Sequence, residues 1–193
     1  MAYIKSQVNG VMRRCMLFFI ILICDFDGKS IEDGDLNFIK VSKKTILQDI
    51  DILMKNKIIG LHKEDDVYIV DYINTDYKLL CKANKFTAEE ARINRLRRLC
   101  YIIYKLYYYS TVYEYIDINE FEDLYSDLDL RTRQRDMKLI SDIGIKLIKT
   151  KVEDYEDETF DYEADGAFED ENFPTKDVNV IEIDNDKMKT LYE

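Results

Sequence analysis

Two stretches of the chain decide the predicted fold: residues 41–61, VSKKTILQDIDILMKNKIIGL, and residues 128–148, LDLRTRQRDMKLISDIGIKLI. The second stretch begins 87 residues after the first. When the two are aligned, Thr45 matches Thr132, Asp49 matches Asp136 and Leu53 matches Ile140. Few residues are identical, but the chemical character agrees along the alignment. This indicates an internal duplication, and the alternative is two unrelated amphipathic helices that look alike.

Each stretch predicts one amphipathic helix. Ser42 and Asp129 stand at the two starts, and side-chain oxygens of this kind accept hydrogen bonds from the free N–H groups of a first helical turn. Apolar residues then recur at the spacing of one helical face. They are Ile46, Ile50, Leu53 and Met54 in the first copy and Met137, Ile140 and Ile143 in the second. The predicted helices cover residues 42–56 and 129–143.

The opposite face of each predicted helix is polar and basic. Lysine and arginine neutralise phosphates, and arginine and glutamine can also bond to guanine and adenine edges in the major groove. The candidate DNA-binding residues are Ser42, Lys43, Lys44 and Gln48 in the first copy and Arg131, Arg133, Gln134, Arg135 and Lys138 in the second. The second helix is the better equipped of the two for reading bases.

Short apolar runs follow each helix and predict β-hairpins. In the first copy these are residues 58–61 and 67–72, and in the second they are residues 145–152, with 178–183 as the returning strand. Helices are also predicted before each copy, at 11–25 and 31–39 in the first half and at 87–109 and 118–125 in the second. Thr87 and Glu90 form a capping-box pattern at the start of the longest one.

The pattern S-x-x-T-I-x-x-D-I-x-x-L resembles the recognition helix of DeoR-type and WYL-associated winged-helix regulators. The residues that carry it are Ser42, Thr45, Ile46, Asp49, Ile50 and Leu53, and Gly144 stands where that family places its helix-ending glycine. The resemblance implies a mainly α fold with small β-hairpin wings (α+β), arranged as two tandem winged helix-turn-helix domains. The expected divisions are domain 1 at 1–75, a linker at 76–86, domain 2 at 87–165 and an acidic C-terminal segment at 166–193.

A second pair of similar motifs supports the duplication. Arg13-Arg14-Cys15 precedes an apolar run in the first half, and Arg97-Arg98-Leu99-Cys100 precedes one in the second. The apolar run of residues 16–24 is nine residues long, whereas a membrane span needs about 20. A signal peptide is the alternative, but no small-residue cleavage site follows. We therefore expect a buried helix and a cytoplasmic protein without a membrane partner.

The sequence offers no catalytic or metal-binding motif. The four cysteines form no C-x-x-C pair, and His62 is the only histidine, so neither a disulfide framework nor a zinc site is expected. Nucleophile elbows, zinc-protease motifs and phosphate-binding glycine loops are absent from the sequence. Asp154 and Asp157 could bind a divalent cation, although an acidic run is more often a solvated face. We expect no enzyme and no cofactor.

The net charge of −11 is divided unequally along the chain. Residues 151–193 hold sixteen acids against four lysines, while residues 1–150 are balanced at +1. The acidic segment could fold against the basic helices and compete with DNA, bind a protein partner, or serve as a solubilising tail. Tyrosines cluster at residues 107–109, 113 and 115, where they form either a homodimer contact or rings that straddle core and solvent.

The sequence therefore predicts a DNA-binding transcriptional regulator that acts on double-stranded DNA through the helices at 42–56 and 129–143. The alternative is a winged-helix protein–protein adaptor, or an acidic inhibitor of a DNA-binding partner.

Overall fold

In the described part of the first half of the chain, helices hold more residues than strands. The computed structural model describes residues 10–36, 39–74, 87–113, 116–125, 128–155 and 175–183. For the described residues from 149 onward, the description covers the backbone alone. The first-half elements are α1 (Gly10–Phe26), α2 (Asp33–Leu36), α3 (Lys43–Lys55), β1 (Ile59–Glu64) and β2 (Val67–Ile73). Strands β1 and β2 form an antiparallel hairpin. The predictions of a first helix at 11–25 and of a hairpin after α3 are confirmed.

The second half repeats this order with a larger sheet. Its elements are α4 (Ala88–Val112), β3 (Ile116–Asp117), α5 (Ile118–Asp123), α6 (Leu130–Asp142), β4 (Leu147–Tyr155) and β5 (Thr175–Ile183). The sheet is antiparallel with strand order β3-β5-β4. The predicted return of residues 178–183 to pair with the preceding strand is confirmed. The mainly helical α+β class is confirmed as well.

The two halves also share a detail of topology. In the second half, β3 precedes the short helix α5 and pairs with the last strand, β5. In the first half, Ile31 precedes the short helix α2 and forms an antiparallel bridge with Tyr68 in the last strand, β2. The helix predicted over 31–39 begins later than expected, because the backbone of Ile31 is used in this bridge. Asp33–Leu36 is helical, and residues 37 and 38 of the predicted span lie outside the described residues.

Helices α3 and α6, called the repeat helices below, begin and end alike. Ser42 caps α3 by accepting from Thr45 N–H, and Asp129 caps α6 by accepting from Thr132 N–H. At the other end, the N–H of Ile58 reaches the carbonyl of Leu53, and 87 residues later Ile145 N–H reaches Ile140. Both ends therefore match the 87-residue offset, and the predicted helices at 42–56 and 129–143 are confirmed together with their caps.

The same backbone conformation follows each repeat helix. Lys57 has φ of 56° and Gly144 has φ of 101°, both in the left-handed region that ends many helices. Glycine adopts this conformation without steric cost, whereas lysine does so at a small penalty. The equivalence of Lys57 and Gly144 could not be read from residue types, because only one of them is a glycine.

Helices α1 and α4 pack against each other at the centre of the molecule. Burial and hydrogen bonding with Cys15 of α1 raise the pKa of the Cys100 thiol of α4. Phe26, at the end of α1, packs against Tyr104 and Tyr107, which lie beyond Cys100 in α4. Contacts thus progress in the same direction along both helices, so α1 and α4 run roughly parallel. The buried apolar residues of the two halves form one continuous hydrophobic cluster.

One buried aspartate connects repeat helix α3 to α1, and another connects repeat helix α6 to α4. Asp49 of α3 is 1% exposed and accepts hydrogen bonds from Arg13 and from Nε of Arg14, the latter at 2.8 Å. Asp136 of α6 is fully buried and accepts from Nε of Arg98 at 2.8 Å and Nε of Arg95 at 3.4 Å. We call these two groups the Arg–Asp–Arg clusters. Each holds its repeat helix at a set angle on α1 or α4, because guanidinium–carboxylate bonds are directional.

The Arg–Asp–Arg clusters lead to a stability prediction. Asp49→Ala leaves two partly buried guanidinium groups without their carboxylate, and such an uncompensated buried charge costs about 3–5 kcal/mol. The matched control is Asp51→Ala, two residues along the same helix, where the side chain is exposed and the free energy of unfolding should hardly change. Urea unfolding of the three proteins measures the difference. Equal stability of the two variants would contradict a fastening role for Asp49.

Candidate nucleic-acid interface

The outer face of α6 carries a row of positive charge. Arg131, Arg135 and Lys138 are spaced by four and three residues, so they lie on one face of the helix. All three are exposed, and none forms an ion pair within the part of the chain that the structure describes. Gln134 is exposed beside them. Because Asp136, Leu139 and Ile140 occupy the buried face, the basic row points away from α4.

The outer face of α3 carries a weaker version of the same row. Lys44, Gln48 and Lys55 are exposed on the face opposite the buried Asp49, and Asp51 interrupts the row with a negative charge. At the 87-residue offset, Lys44 corresponds to Arg131 and Gln48 to Arg135. We call these two faces the α3 row and the α6 row. The α6 row is the stronger candidate for a contact with phosphate or bases.

Three of the predicted site residues are occupied by other contacts. Ser42 uses its hydroxyl as the N-cap, 3.2 Å from Thr45 N. Lys43 forms an ion pair with the exposed carboxylate of Asp33 in α2, which raises the pKa of Lys43 through hydrogen bonding and charge attraction. Arg133 is half-buried and donates from Nε to the carbonyl of Leu128 at 3.0 Å. Because of these contacts, the three side chains have fewer hydrogen-bond donors available for a ligand.

The turn of the first hairpin carries the opposite charge. Glu64 ends β1, and Asp65 and Asp66 form the turn into β2, with all three exposed. Lys63 compensates in part, with its ammonium 3.4 Å from Asp66 Oδ1. Carboxylates repel phosphate, so this hairpin tip is unsuited to gripping a nucleic-acid backbone. The corresponding acidic run after β4 falls largely in residues 156–174, outside the described part of the chain.

Sequence reasoning missed the residues that position both rows. Asp49 and Asp136 were matched to each other, but their burial against arginines was not foreseen. The available signal was an acid within the apolar stripe of both repeat helices, together with paired arginines in both central helices. The pairing also corrects the motif comparison, because Arg98 and Arg95 hold Asp136 whereas Arg97 donates to the carbonyl of Asn56 at 3.3 Å.

Other kinds of site find little support in the described ranges. They contain no group of three or more metal-binding side chains, and no helix there has the length and apolarity to cross a membrane. A small depression, partly open to solvent, lies between α2 and α3 and is lined in part by Leu36, Ile46 and Leu47. Its charged members, Asp33 and Lys43, are paired with each other.

His62 lies on β1 and is exposed to solvent, with its Nδ1 2.7 Å from Asp71 Oδ1.

The N-cap of α6 gives a pH-dependent prediction. The side chain and backbone N–H of Thr132 donate to Asp129 and lower its pKa below the ordinary aspartate value. A depressed folded-state pKa contributes stability above the unfolded pKa, and this contribution is lost as pH falls through the folded pKa. Asp129→Asn keeps a capping oxygen without titrating.

The difference in Tm between the parent and Asp129→Asn should therefore be constant above about pH 5 and change in favour of the variant toward pH 3. Thermal unfolding followed by circular dichroism at a series of pH values measures this. A difference that stays constant down to pH 3 would contradict the contribution of the ionised cap.

Comparison of the chain with protein-family models, with curated proteins and with solved structures finds no match in any of the three. The function must be inferred from the charge and geometry of the two rows.

Proposed function

We propose that the chain is a DNA-binding transcriptional regulator built from two tandem winged-helix units, with α3 and α6 as its recognition helices. The observation that carries the proposal is the α6 row, in which Arg131, Arg135 and Lys138 stand exposed and without ion pairs among the described residues. The chain as a whole carries a net charge of −11. A group of unpaired positive charges on such a chain indicates a surface that binds an anionic ligand.

The arrangement of elements supports the winged-helix assignment. Each half has a long helix, a short strand or bridge, a short helix, a repeat helix and a hairpin, in that order. In winged-helix and other helix-turn-helix proteins, the recognition helix enters the major groove, where arginine binds guanine and glutamine binds adenine. The exposed face of α6 carries two arginines, Arg131 and Arg135, and one glutamine, Gln134.

The chemistry proposed for the chain is binding without catalysis. The acidic turn at residues 64–66 argues that helix faces, rather than the first hairpin, carry the contact. The acidic segment is proposed to modulate binding or to engage a protein partner. An experiment on it must retain residues 175–183, because β5 pairs with both β3 and β4 and its deletion would remove the middle strand of that sheet.

A second candidate function is that of a protein–protein adaptor or an acidic inhibitor of a DNA-binding partner. It is favoured by the exposed Glu64, Asp65 and Asp66 and by Leu47, which is 37% exposed on the face of α3 that would otherwise approach bases. An exposed leucine beside a shallow depression suits an apolar side chain of a partner. In this alternative the hairpin turn would be the contact surface and the α6 row would be dispensable.

The proposed DNA contact is tested by neutralising the α6 row. Arg131→Ala/Arg135→Ala should weaken binding to a random-sequence duplex in low salt by about thirtyfold or more, since two arginine contacts of about 1–3 kcal/mol each sum to at least about 2 kcal/mol. The salt dependence of affinity should also become shallower, by about 0.9 in log–log slope for each lost phosphate contact. Gel shift or fluorescence anisotropy at several salt concentrations measures both quantities.

The matched control is Lys29→Ala/Lys105→Ala. It also removes two positive charges, but toward the C-terminal ends of α1 and α4. Lys29 pairs with Asp27 just beyond α1, and Lys105 lies over the rings of Tyr101 and Tyr109. Affinity close to that of the parent is expected for the control. Equal loss in both double variants would mean a general charge effect, and absence of duplex binding by the parent would reject the proposed function.

A further inference from the structure

The outer face of the C-terminal half of α4 is rich in tyrosine. Successive residues of an α-helix are turned by about 100°, so residues three, four, seven and eight apart share a face. The buried face of this half holds Ile102, Ile103, Leu106 and Tyr107. The opposite face, called the tyrosine face below, is formed by Tyr101, Tyr104, Tyr108, Tyr109, Val112 and the C-cap residue Tyr113.

The tyrosine face is open to solvent. Val112 is 49% exposed and Tyr113 is 56% exposed, and the other rings of the face are half-buried. The rings of Tyr104 and Tyr108 stack with centroids 5.9 Å apart, and the ring of Tyr109 lies 5.6 Å from that of Tyr113. Tyrosine is enriched in protein-binding surfaces, because it gives a large contact area while few rotatable bonds become fixed. The tyrosine face is therefore suited to a protein partner.

A lysine lies on one flank of the tyrosine face. Lys105 is turned by about 100° around the helix from Tyr104. Its ammonium group lies 5.8 Å from the ring centroids of both Tyr101 and Tyr109. Contacts of this kind attract a cation to the face of a ring. They hold the positive charge of Lys105 at the surface of the tyrosine face.

A carboxylate lies on the other flank. Asp25 is exposed in the last turn of α1, next to Phe26, whose ring centroid is 6.5 Å from that of Tyr104. Burial and the neighbouring Tyr108 raise the pKa of Tyr104, and the Asp25 carboxylate adds to this. Within the part of the chain that the structure describes, neither Asp25 nor Lys105 forms an ion pair. The two opposite charges therefore stand at the same level of α4, on opposite flanks of the tyrosine face.

This distribution of charge fits a second copy of the same chain. In an isologous interface one patch serves both partners, so the patch must carry its own complement. When two α4 helices pack face to face in parallel, about a two-fold axis along their length, the Lys105 flank of each meets the Asp25 flank of the other. Antiparallel packing about an axis across the helices would instead bring each flank onto its own equivalent and set like charges together.

We propose that the chain forms a parallel two-fold dimer through the tyrosine face, with Lys105 of each copy opposite Asp25 of the other. The inference does not depend on DNA binding. It does bear on the α6 row, because Arg95 and Arg98 hold α6 against the N-terminal half of α4. A parallel dimer therefore carries both of its α6 rows toward the same end.

Sedimentation equilibrium of the full-length chain at increasing concentration tests for the dimer. The expected mass is twice that of the 23.0 kDa chain. A parent that stays monomeric at every concentration would overturn the inference, while the proposed contact of the α6 row with DNA would stand or fall by its own binding assay.

Charge reversal tests the contact between Lys105 and Asp25. Lys105→Glu alone and Asp25→Lys alone should each weaken the dimer by about hundredfold or more, because two equivalent contacts then set like charges together. The two substitutions combined exchange the signs and should restore the mass of the parent. Lys105→Ala should stay dimeric, since the attraction of an exposed ion pair contributes little and no repulsion replaces it.

The matched control is Lys63→Glu, which makes the same change of charge on the first hairpin, where the side chain is exposed. It should remain dimeric, and parent-like thermal unfolding confirms that each variant is folded. A dimer that survives Lys105→Glu, or a combined variant that stays monomeric, would contradict the contact.

A cysteine at position 112 tests the direction of packing. Val112 lies near the middle of the tyrosine face, so a parallel two-fold axis brings the two copies of this residue together. A short bismaleimide crosslinker, which bonds to one thiol of each chain, should therefore join Val112→Cys into a covalent dimer. The parent, with its native cysteines, and Lys63→Cys are the controls, and both should remain single chains on a denaturing gel. Absence of the crosslinked Val112→Cys dimer would overturn the parallel arrangement.

Discussion

A carboxylate held between two guanidinium groups determines where each basic row stands. Asp49 and Asp136 lie at equivalent positions on the inner faces of α3 and α6, and each is bound by two arginines of α1 or α4. Apolar packing alone would let such helices slide or rotate, because dispersion and the hydrophobic effect have little directionality. The Arg–Asp–Arg clusters set the rotation of each repeat helix, and the outward direction of its lysines and arginines follows from that rotation.

The continuous core around α1 and α4 relates these two positions to each other. A polar cluster buried at the edge of such a core is costly to break, and specificity of arrangement is one reason for retaining it. Here the same arrangement occurs twice, on the two sides of one helix pair. The cysteine contact near the middle and the aromatic contacts of Phe26 at the far end keep the pair in register.

Much of the fold could be predicted from local patterns in the sequence. The capping residues Ser42, Thr87 and Asp129 and the apolar periodicity after them gave the correct starts of three helices, because capping and amphipathicity are encoded within a few residues. The late start of the helix near Ile31 could not be predicted, since the backbone of Ile31 pairs with Tyr68, 37 residues away. The arginine partners of Asp49 and Asp136 were likewise hidden, because these contacts span about 35 to 41 residues. Exposure of Arg131 and Arg135 followed from periodicity, whereas the engagement of Arg133 by Leu128 depends on the local geometry of the cap.

The central claim is that the exposed basic row on α6, with the weaker row on α3, binds duplex DNA. Titration of the isotope-labelled chain with a random-sequence duplex, followed by backbone amide NMR, tests it most directly. The account predicts that amides of residues 131–138 shift on addition of the duplex, with smaller shifts for residues 43–48, while those of residues 104–113 at the aromatic end do not. Shifts confined to the aromatic end or to the hairpin turn at residues 64–66 would contradict it.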